Sequence, residues 1–364
     1  MMENSERWKY PVELLTLKTS RPFFSSIYRK FIIREDILVF KIISVYLLPF
    51  CLFYLAIIYL KRCLISQRKL DIPVISIGNI TAGGTGKTPL VMYIASLYQR
   101  YGMGIIIASS GAGKGRVRYL NTEIEDEAVM IKNNFPNITI TGKKIEEIIR
   151  GMNGDRKNVV IFDDGFHCHY IYKDIEVLVI DMANPFDNNM LLPSGLLRES
   201  KRELKRADVF ILSHPYMVDK KEYQSLVNYL GYFKKPIFIM DYKIDALRNN
   251  RGEISSEVIM NKVVIAFTGT GSPFNFFSLL STLSPSKIYG IIYPDHFNYQ
   301  KQDIKELEST FFKKDAEYLI TTEKDYVKLI KYDWKTPLFY LKIKPVIKSI
   351  NEDEFDTLLF NALK

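Results

Sequence analysis

The sequence predicts an α/β protein: a mostly parallel sheet domain with a phosphate-binding loop of the P-loop NTPase type, a second, smaller α/β domain, and an N-terminal membrane-associated helix. Three observations predict it. Short apolar runs such as "VISIG", "IIIAS", "VVIFD", "VLVID" and "VFILS" alternate with helix-spaced or turn-rich sequence, the pattern of strands buried on both faces of a parallel sheet. A glycine-rich stretch, "NITAGGTGKTPL", joins the first of these runs to a helical one. Ahead of it stand nineteen uncharged residues, Ile42 to Leu60.

As a helix, that apolar run measures roughly 28 Å, close to the thickness of a bilayer's hydrocarbon core. It begins too far into the chain for a cleaved signal peptide, and "KRCLISQRK" follows it where a small-residue cleavage site would stand. Both flanks are basic, so charge asymmetry gives no clear orientation, and Pro49 in mid-run allows a kink or a helix lying in one leaflet. Residues 1–70 are therefore read as an N-terminal segment with a membrane helix at about 42–60.

Residues 71–235 are read as the nucleotide domain. "DIPVISIGNI" is a strand, the glycine-rich stretch a loop and "TPLVMYIASLYQRYG" a helix. In the loop, Gly86, Lys87 and Thr88 satisfy the end of the G-x-x-x-x-G-K-S/T pattern, while Thr81 stands where the opening glycine is usual. A loop that leaves a strand and opens a helix favours phosphate oxygens through unpaired N–H groups and the helix dipole. Thr81, Gly83, Gly84, Thr85, Gly86, Lys87 and Thr88 are the candidate nucleotide-binding residues, with Lys87 reaching the terminal phosphates and Thr88 offering its hydroxyl to Mg²⁺. "VVIFDD" ends a buried strand in two carboxylates, Asp163 and Asp164, which are costly to bury unless they meet a cation or donors. They join Thr88 as metal candidates, and Glu199 in "LLRES" is a further one. Dimeric positioning ATPases carry an additional lysine early in this loop; Ala82 fills that place here, which argues against a membrane-tethered nucleotide switch.

After "PIFIMDYKIDALRNNRGEIS", where "NNRGE" reads as a turn between extended stretches, the alternation resumes. Residues 236–260 are read as an extended connector and 261–364 as the smaller α/β domain. The chain of 364 residues carries 50 Lys and Arg against 41 Asp and Glu, a net charge of +9. That excess suits an anionic membrane face or a phosphorylated substrate. The absence of a basic segment interleaved with aromatics argues against nucleic acid. Three cysteines without a C-x-x-C pair indicate a reducing compartment.

Taken together, "IGNITAGGTGKTP", "IFDDGF", "LLPSGLLRE", "RADVFILSH", "AFTGTGSPFNFF", "YPDHFNY" and "TTEKDYVKL" resemble, in this order, the tetraacyldisaccharide 4'-kinases of lipid A biosynthesis. The resemblance implies two α/β domains and transfer of the ATP γ-phosphate, with Mg²⁺, to the 4'-hydroxyl of an acylated glucosamine disaccharide 1-phosphate. It places the protein at the cytoplasmic face of a bacterial inner membrane, with no required protein partner. It also implies a catalytic base: "EDEA" matches the family's G-D-E-P motif, giving Asp126 with Glu127 beside it, and His296 of "PDH" shares the proton. Where the family writes Gln-His after "DDGF", this chain has His167 and Cys168, with His169 one place later as another candidate imidazole.

Overall fold

The computed structural model describes residues 12–15, 46–109, 116–119, 122–136, 138–141, 158–215, 218–350, 354–361 and 363. In chain order, the first half of these residues forms β1 (Val12–Leu15), α1 (Leu48–Leu64), β2 (Val74–Gly78), α2 (Lys87–Arg100), β3 (Gly104–Ser109), β4 (Arg116–Tyr119), β5 (Thr122–Glu125), α3 (Asp126–Asn134), β6 (Thr139–Thr141), β7 (Asn158–Asp163), β8 (Ile175–Asp181) and β9 (Val209–Ser213). There follow α4 (Lys220–Gly231), β10 (Ile237–Asn249), β11 (Gly252–Ile254), β12 (Val263–Thr268), α5 (Pro273–Ser281), β13 (Lys287–Ile292), α6 (Lys301–Lys313), β14 (Tyr318–Thr322), α7 (Glu323–Leu329), β15 (Leu338–Ser349) and α8 (Phe355–Asn361).

Two compact units divide the chain. The first comprises Leu38–Gly113, Asn134–Asp241 and Pro345–Lys364; the second comprises Met1–Ile37, Lys114–Asn133 and Tyr242–Lys344. Segment 114–133, which the sequence reading places in the nucleotide domain, thus groups with the later residues. An ion pair between Glu127 and Lys324 is one physical reason.

In the first unit the strands run in the order β10-β9-β8-β2-β7-β3-β6, and every pairing is parallel. All residues of β2, β8 and β9 are buried, which is why these stretches are apolar without alternation. Helix α2 buries Leu90, Val91, Ile94, Ala95, Leu97 and Tyr98, an apolar stripe at helical spacing. The C-terminal helix α8 belongs to the same unit, burying Phe355 and Leu359, and the Tyr98 hydroxyl donates to the Leu359 carbonyl at 3.1 Å.

The second unit contains a parallel array β1-β13-β12-β14-β15. It also holds the antiparallel hairpin β4–β5 that leads into α3. The "NNRGE" turn forms as expected: β10 and β11 pair antiparallel from Leu247↔Ile254 to Asn249↔Gly252.

The expected membrane helix differs in its bounds. Residues 42–45 lie outside the described residues; among the described ones α1 runs from Leu48 on to Leu64, with Pro49 in its first turn, where a missing N–H costs nothing. Among the described residues no helix is long and apolar enough to cross a membrane. Even so, α1 leaves Phe50, Leu52, Phe53, Tyr59, Leu60 and Leu64 exposed.

Candidate active site

The glycine-rich loop leaves β2 at Gly78 and enters α2 at Lys87. Gly86 caps the helix in the left-handed region, φ 85°, a conformation most side chains resist. No side chain caps this end, so the N–H groups of the first turn face the loop. Thr81, in place of the usual opening glycine, is buried in an antiparallel bridge to Leu197. Ala82 N donates to Leu196 O and Arg198 N to Ile80 O, each at 2.7 Å. An extended, β-branched residue suits that stitch, and it ties the loop to the "LLRES" segment. On the other side, Ser213 at the end of β9 donates through Oγ to the Thr85 carbonyl at 2.9 Å.

The paired carboxylates follow β7. Asp163 is its last residue, and Asp164 turns the chain in the left-handed region, φ 56°, into the single turn Gly165–His167. This turn touches the end of β2 backbone to backbone: a Cβ on Gly78 would lie 2.4 Å from Phe166 Cβ and 2.8 Å from its nitrogen. Lys87 Nζ donates to Asn79 Oδ1 at 2.9 Å and lies 3.4 Å from Asp164 Oδ1; Arg198 Nη1 donates to Asp164 Oδ2 at 2.8 Å. Burial pushes the Asp164 carboxyl upward in pKa, but the charges of Lys87 and Arg198 outweigh it and hold the group down at about 2.

Glu199 sits beside this pair in the chain but in a different electrostatic setting. It is 2% exposed, and its two oxygens take His167 Nδ1 at 2.8 Å, His169 Nε2 at 3.5 Å and Arg206 Nη1 at 2.5 Å. Burial raises its pKa, and the hydrogen bonds from the two imidazoles with the Arg206 charge overcome that, leaving it well below the usual carboxylate range. Arg206 also stacks over the Phe166 ring at 4.0 Å. His167 and His169 therefore converge on Glu199, not on each other. Among the described residues no three His, Cys, Asp or Glu side chains are grouped to hold a metal ion.

Helix α1 packs against the same region. The Cys51 thiol lies 3.1 Å from Leu191 O and 3.0 Å from Ser194 Oγ, the Tyr54 hydroxyl donates to Arg198 O at 3.2 Å, and Arg62 pairs with Glu203 at 2.7 Å.

The remaining candidates belong to the second unit. His296 lies in the turn after β13, φ 55°, its N–H on Gly269 O at 3.1 Å and on Asp295 Oδ1 at 3.0 Å. Lys324, in the first turn of α7, places Nζ 2.9 Å from Glu127 Oε1 and 3.3 Å from His296 Nε2. Asp126 is the first residue of α3; its side chain lies outside the described part of the structure. Beneath the turn, fully buried Asp325 accepts from Thr268 Oγ1 at 3.0 Å, Gly269 N at 2.9 Å and Thr322 Oγ1 at 2.8 Å.

Four participants escaped the sequence reading: Asn79, Arg198, Lys324 and Asp325. Asn79 lies inside "IGNITAGGTGKTP", Arg198 inside "LLPSGLLRE", and Lys324 and Asp325 inside "TTEKDYVKL". A signal existed, but side-chain partners across distant strands carry none.

A mostly parallel α/β fold with glycine-rich loop, lysine and strand-end carboxylates gathered at the carboxyl ends of its strands defines the class, one in which ligands bind at that edge. The chain belongs to the tetraacyldisaccharide-1-P 4'-kinase family, whose model matches residues 43–364. The tetraacyldisaccharide 4'-kinase of Syntrophus aciditrophicus is 31% identical over 347 residues, 86% of this chain and 92% of that one. The enzyme of that name from Rickettsia felis is 32% identical over 296 residues, covering 79% and 85%. The solved structure of LpxK from Aquifex aeolicus in complex with ATP superposes with a TM-score of 0.64 at 27% identity, over 88% of this chain and all of that one.

Proposed function

We propose that the protein transfers the γ-phosphoryl group of ATP to the 4'-hydroxyl of tetraacyldisaccharide 1-phosphate, giving lipid IVA and ADP in lipid A biosynthesis. The observation that carries this is the Lys87–Asp164–Arg198 cluster at the mouth of the glycine-rich loop, in a chain that belongs to this kinase family.

The loop N–H groups and Lys87 hold the β- and γ-phosphates. Arg198, two residues beyond the bridge that stitches the loop, brings a second positive charge to the same edge. The donor set fits Mg²⁺: the Thr88 hydroxyl, Asp163 and Asp164 are hard oxygen ligands, and with nucleotide phosphates and water completing the shell no dedicated protein cage is needed. An Mg²⁺ ion held by these residues would supply neutralisation of the charge that develops on the transferred group. Glu199, saturated by two imidazoles and a guanidinium, acts in this reading by fixing Arg206 and the "DDGF" turn, and reaches a metal only if those partners release it.

Phosphoryl transfer also needs an aligned hydroxyl and an acceptor for its proton. Asp126 takes that proton, with His296 sharing it. The oxygen of the 4'-hydroxyl forms a bond to γ-phosphorus as the bond to the β–γ bridging oxygen breaks, and ADP leaves. Exposed Phe50, Leu52, Phe53, Tyr59 and Leu60 of α1 rest in the cytoplasmic leaflet of the bacterial inner membrane, where the acyl chains of the substrate remain.

The test is incubation of the full-length protein with γ-labelled ATP, Mg²⁺ and tetraacyldisaccharide 1-phosphate in detergent or vesicles. Label is expected in a lipid product. Label found solely in inorganic phosphate would instead support a nucleotide switch.

A further inference from the structure

In the second unit, beside the turn that carries His296, stands a lysine to which the proposed mechanism gives no role. Lys324 is 17% exposed in its side chain, and its ammonium lies 2.9 Å from Glu127 Oε1, 3.3 Å from His296 Nε2 and 3.9 Å from Asp295 Oδ1. An ammonium has only hydrogens to offer, so at the imidazole contact Nε2 must be the acceptor. The ring proton of a neutral His296 then resides on Nδ1. The same ammonium neutralises Glu127, the second residue of α3, and so fixes the helix start at which Asp126 stands.

The support beneath Lys324 is rigid. Thr322 caps α7 by accepting from Asp325 N at 3.1 Å, and the Asp325 carboxylate accepts in return from Thr322 Oγ1 and from Gly269 N. Gly269 in turn accepts from His296 N. One helix turn therefore sets both the lysine and the loop that carries the histidine.

We propose that Lys324 is a positioning residue for the proton acceptor: by binding His296 Nε2 and Glu127 together it locks the imidazole as its Nδ1–H tautomer and holds the first turn of α3 against it. This rests on the reading of Asp126 and His296 as the pair that takes the hydroxyl proton. With Nε2 accepting from the ammonium and the ring proton on Nδ1, the neutral imidazole has no free lone pair and serves as a donor through Nδ1–H toward the carboxylate that takes the hydroxyl proton, while the nearby positive charge opposes protonation of the ring at Nε2. Among the described residues, the ring meets Asp295 from its own turn, whose Oδ2 lies 3.9 Å from Nε2, and Lys324 from α7, which in turn pairs with Glu127 from α3.

Two measurements on the full-length protein test this. Nitrogen-15 NMR of the histidine rings, with the His296 signal assigned by its loss in His296→Ala, is expected to show the Nδ1–H tautomer in the unaltered protein. An Nε2–H tautomer overturns the proposal whatever the variants do. Kinase assays across pH 5.5–9.5 then compare Lys324→Gln, Lys324→Arg and His296→Ala. Lys324→Gln is expected to lower kcat at least tenfold with the KM for ATP within about twofold. It should also move the acidic limb of kcat/KM to higher pH by about half a unit to one unit, because removal of a cation eases protonation of the ring. Lys324→Arg should restore most of the rate. If His296→Ala loses activity while Lys324→Gln keeps both kcat and pH profile, the positioning role is wrong and the proton-acceptor reading stands. Full turnover by His296→Ala removes that reading and this inference with it.

Discussion

Lys87 stands between Asn79 and Asp164, and these short contacts set what a single substitution does. Lys87→Ala removes the charge that meets the terminal phosphates, so turnover should fall at least a hundredfold and ATP affinity weaken; steady-state kinetics with an ATP titration checks both. Asp164 supplies a stability prediction. Its pKa falls from 3.8 to about 2 on folding, so its contribution is full above about pH 4 and is lost as pH falls toward 2. The shift corresponds to about 2 kcal/mol. Urea unfolding of the wild type should lose that amount across this window, and Asp164→Asn should show a correspondingly shallower decline.

The elements bring these residues together by close approach. Strand β2 and the turn after β7 meet where Gly78 leaves no room for a methyl group, with Phe166 backbone on the other side. Backbone cannot yield as a flexible side chain does, so Gly78→Ala should cost about 2 to 3 kcal/mol and weaken ATP binding as the carboxylates move from the loop. Denaturant midpoints and ATP titration on the same variant measure both. Helix α1 carries the opposite kind of surface. Leu52, Phe53 and Tyr59 are 71%, 68% and 67% exposed, so replacing all three with Ser removes little packing. Vesicle co-sedimentation should fall at least tenfold while the thermal midpoint stays within about 2 °C, since each methylene entering lipid contributes about 0.8 kcal/mol.

At the scale of the whole chain, sequence order and spatial order part company. The C-terminal helix α8 belongs to the unit with the glycine-rich loop, where Leu359 is fully buried and Asp356 accepts from the Tyr93 hydroxyl at 2.8 Å. Leu359→Ala should therefore destabilise the nucleotide-binding unit by about 2 to 5 kcal/mol, read as a lower unfolding midpoint whose ATP-induced rise persists. Strand β1 is the reverse case: Val12–Leu15 pairs parallel with Ile288–Ile291, and four residues with only one polar interruption gave no periodic signal strong enough to reveal it.

The central strands of the two units, β2, β3, β7, β8 and β9 in one and β12, β13 and β14 in the other, were legible because burial on two faces demands uninterrupted apolar runs, and the glycine-rich loop was legible because left-handed backbone and helix entry demand particular residues at fixed spacing. Local requirements such as these are written within a few neighbouring positions, and the motif order added the family. Tertiary structure alone decided that Arg198 closes on Asp164, that His167 and His169 turn to Glu199, and that Lys324 joins Glu127 to His296. Those pairings link residues 28 to 197 positions apart, and charge complementarity at such separations is satisfied by many partners in a chain until the folded backbone selects one.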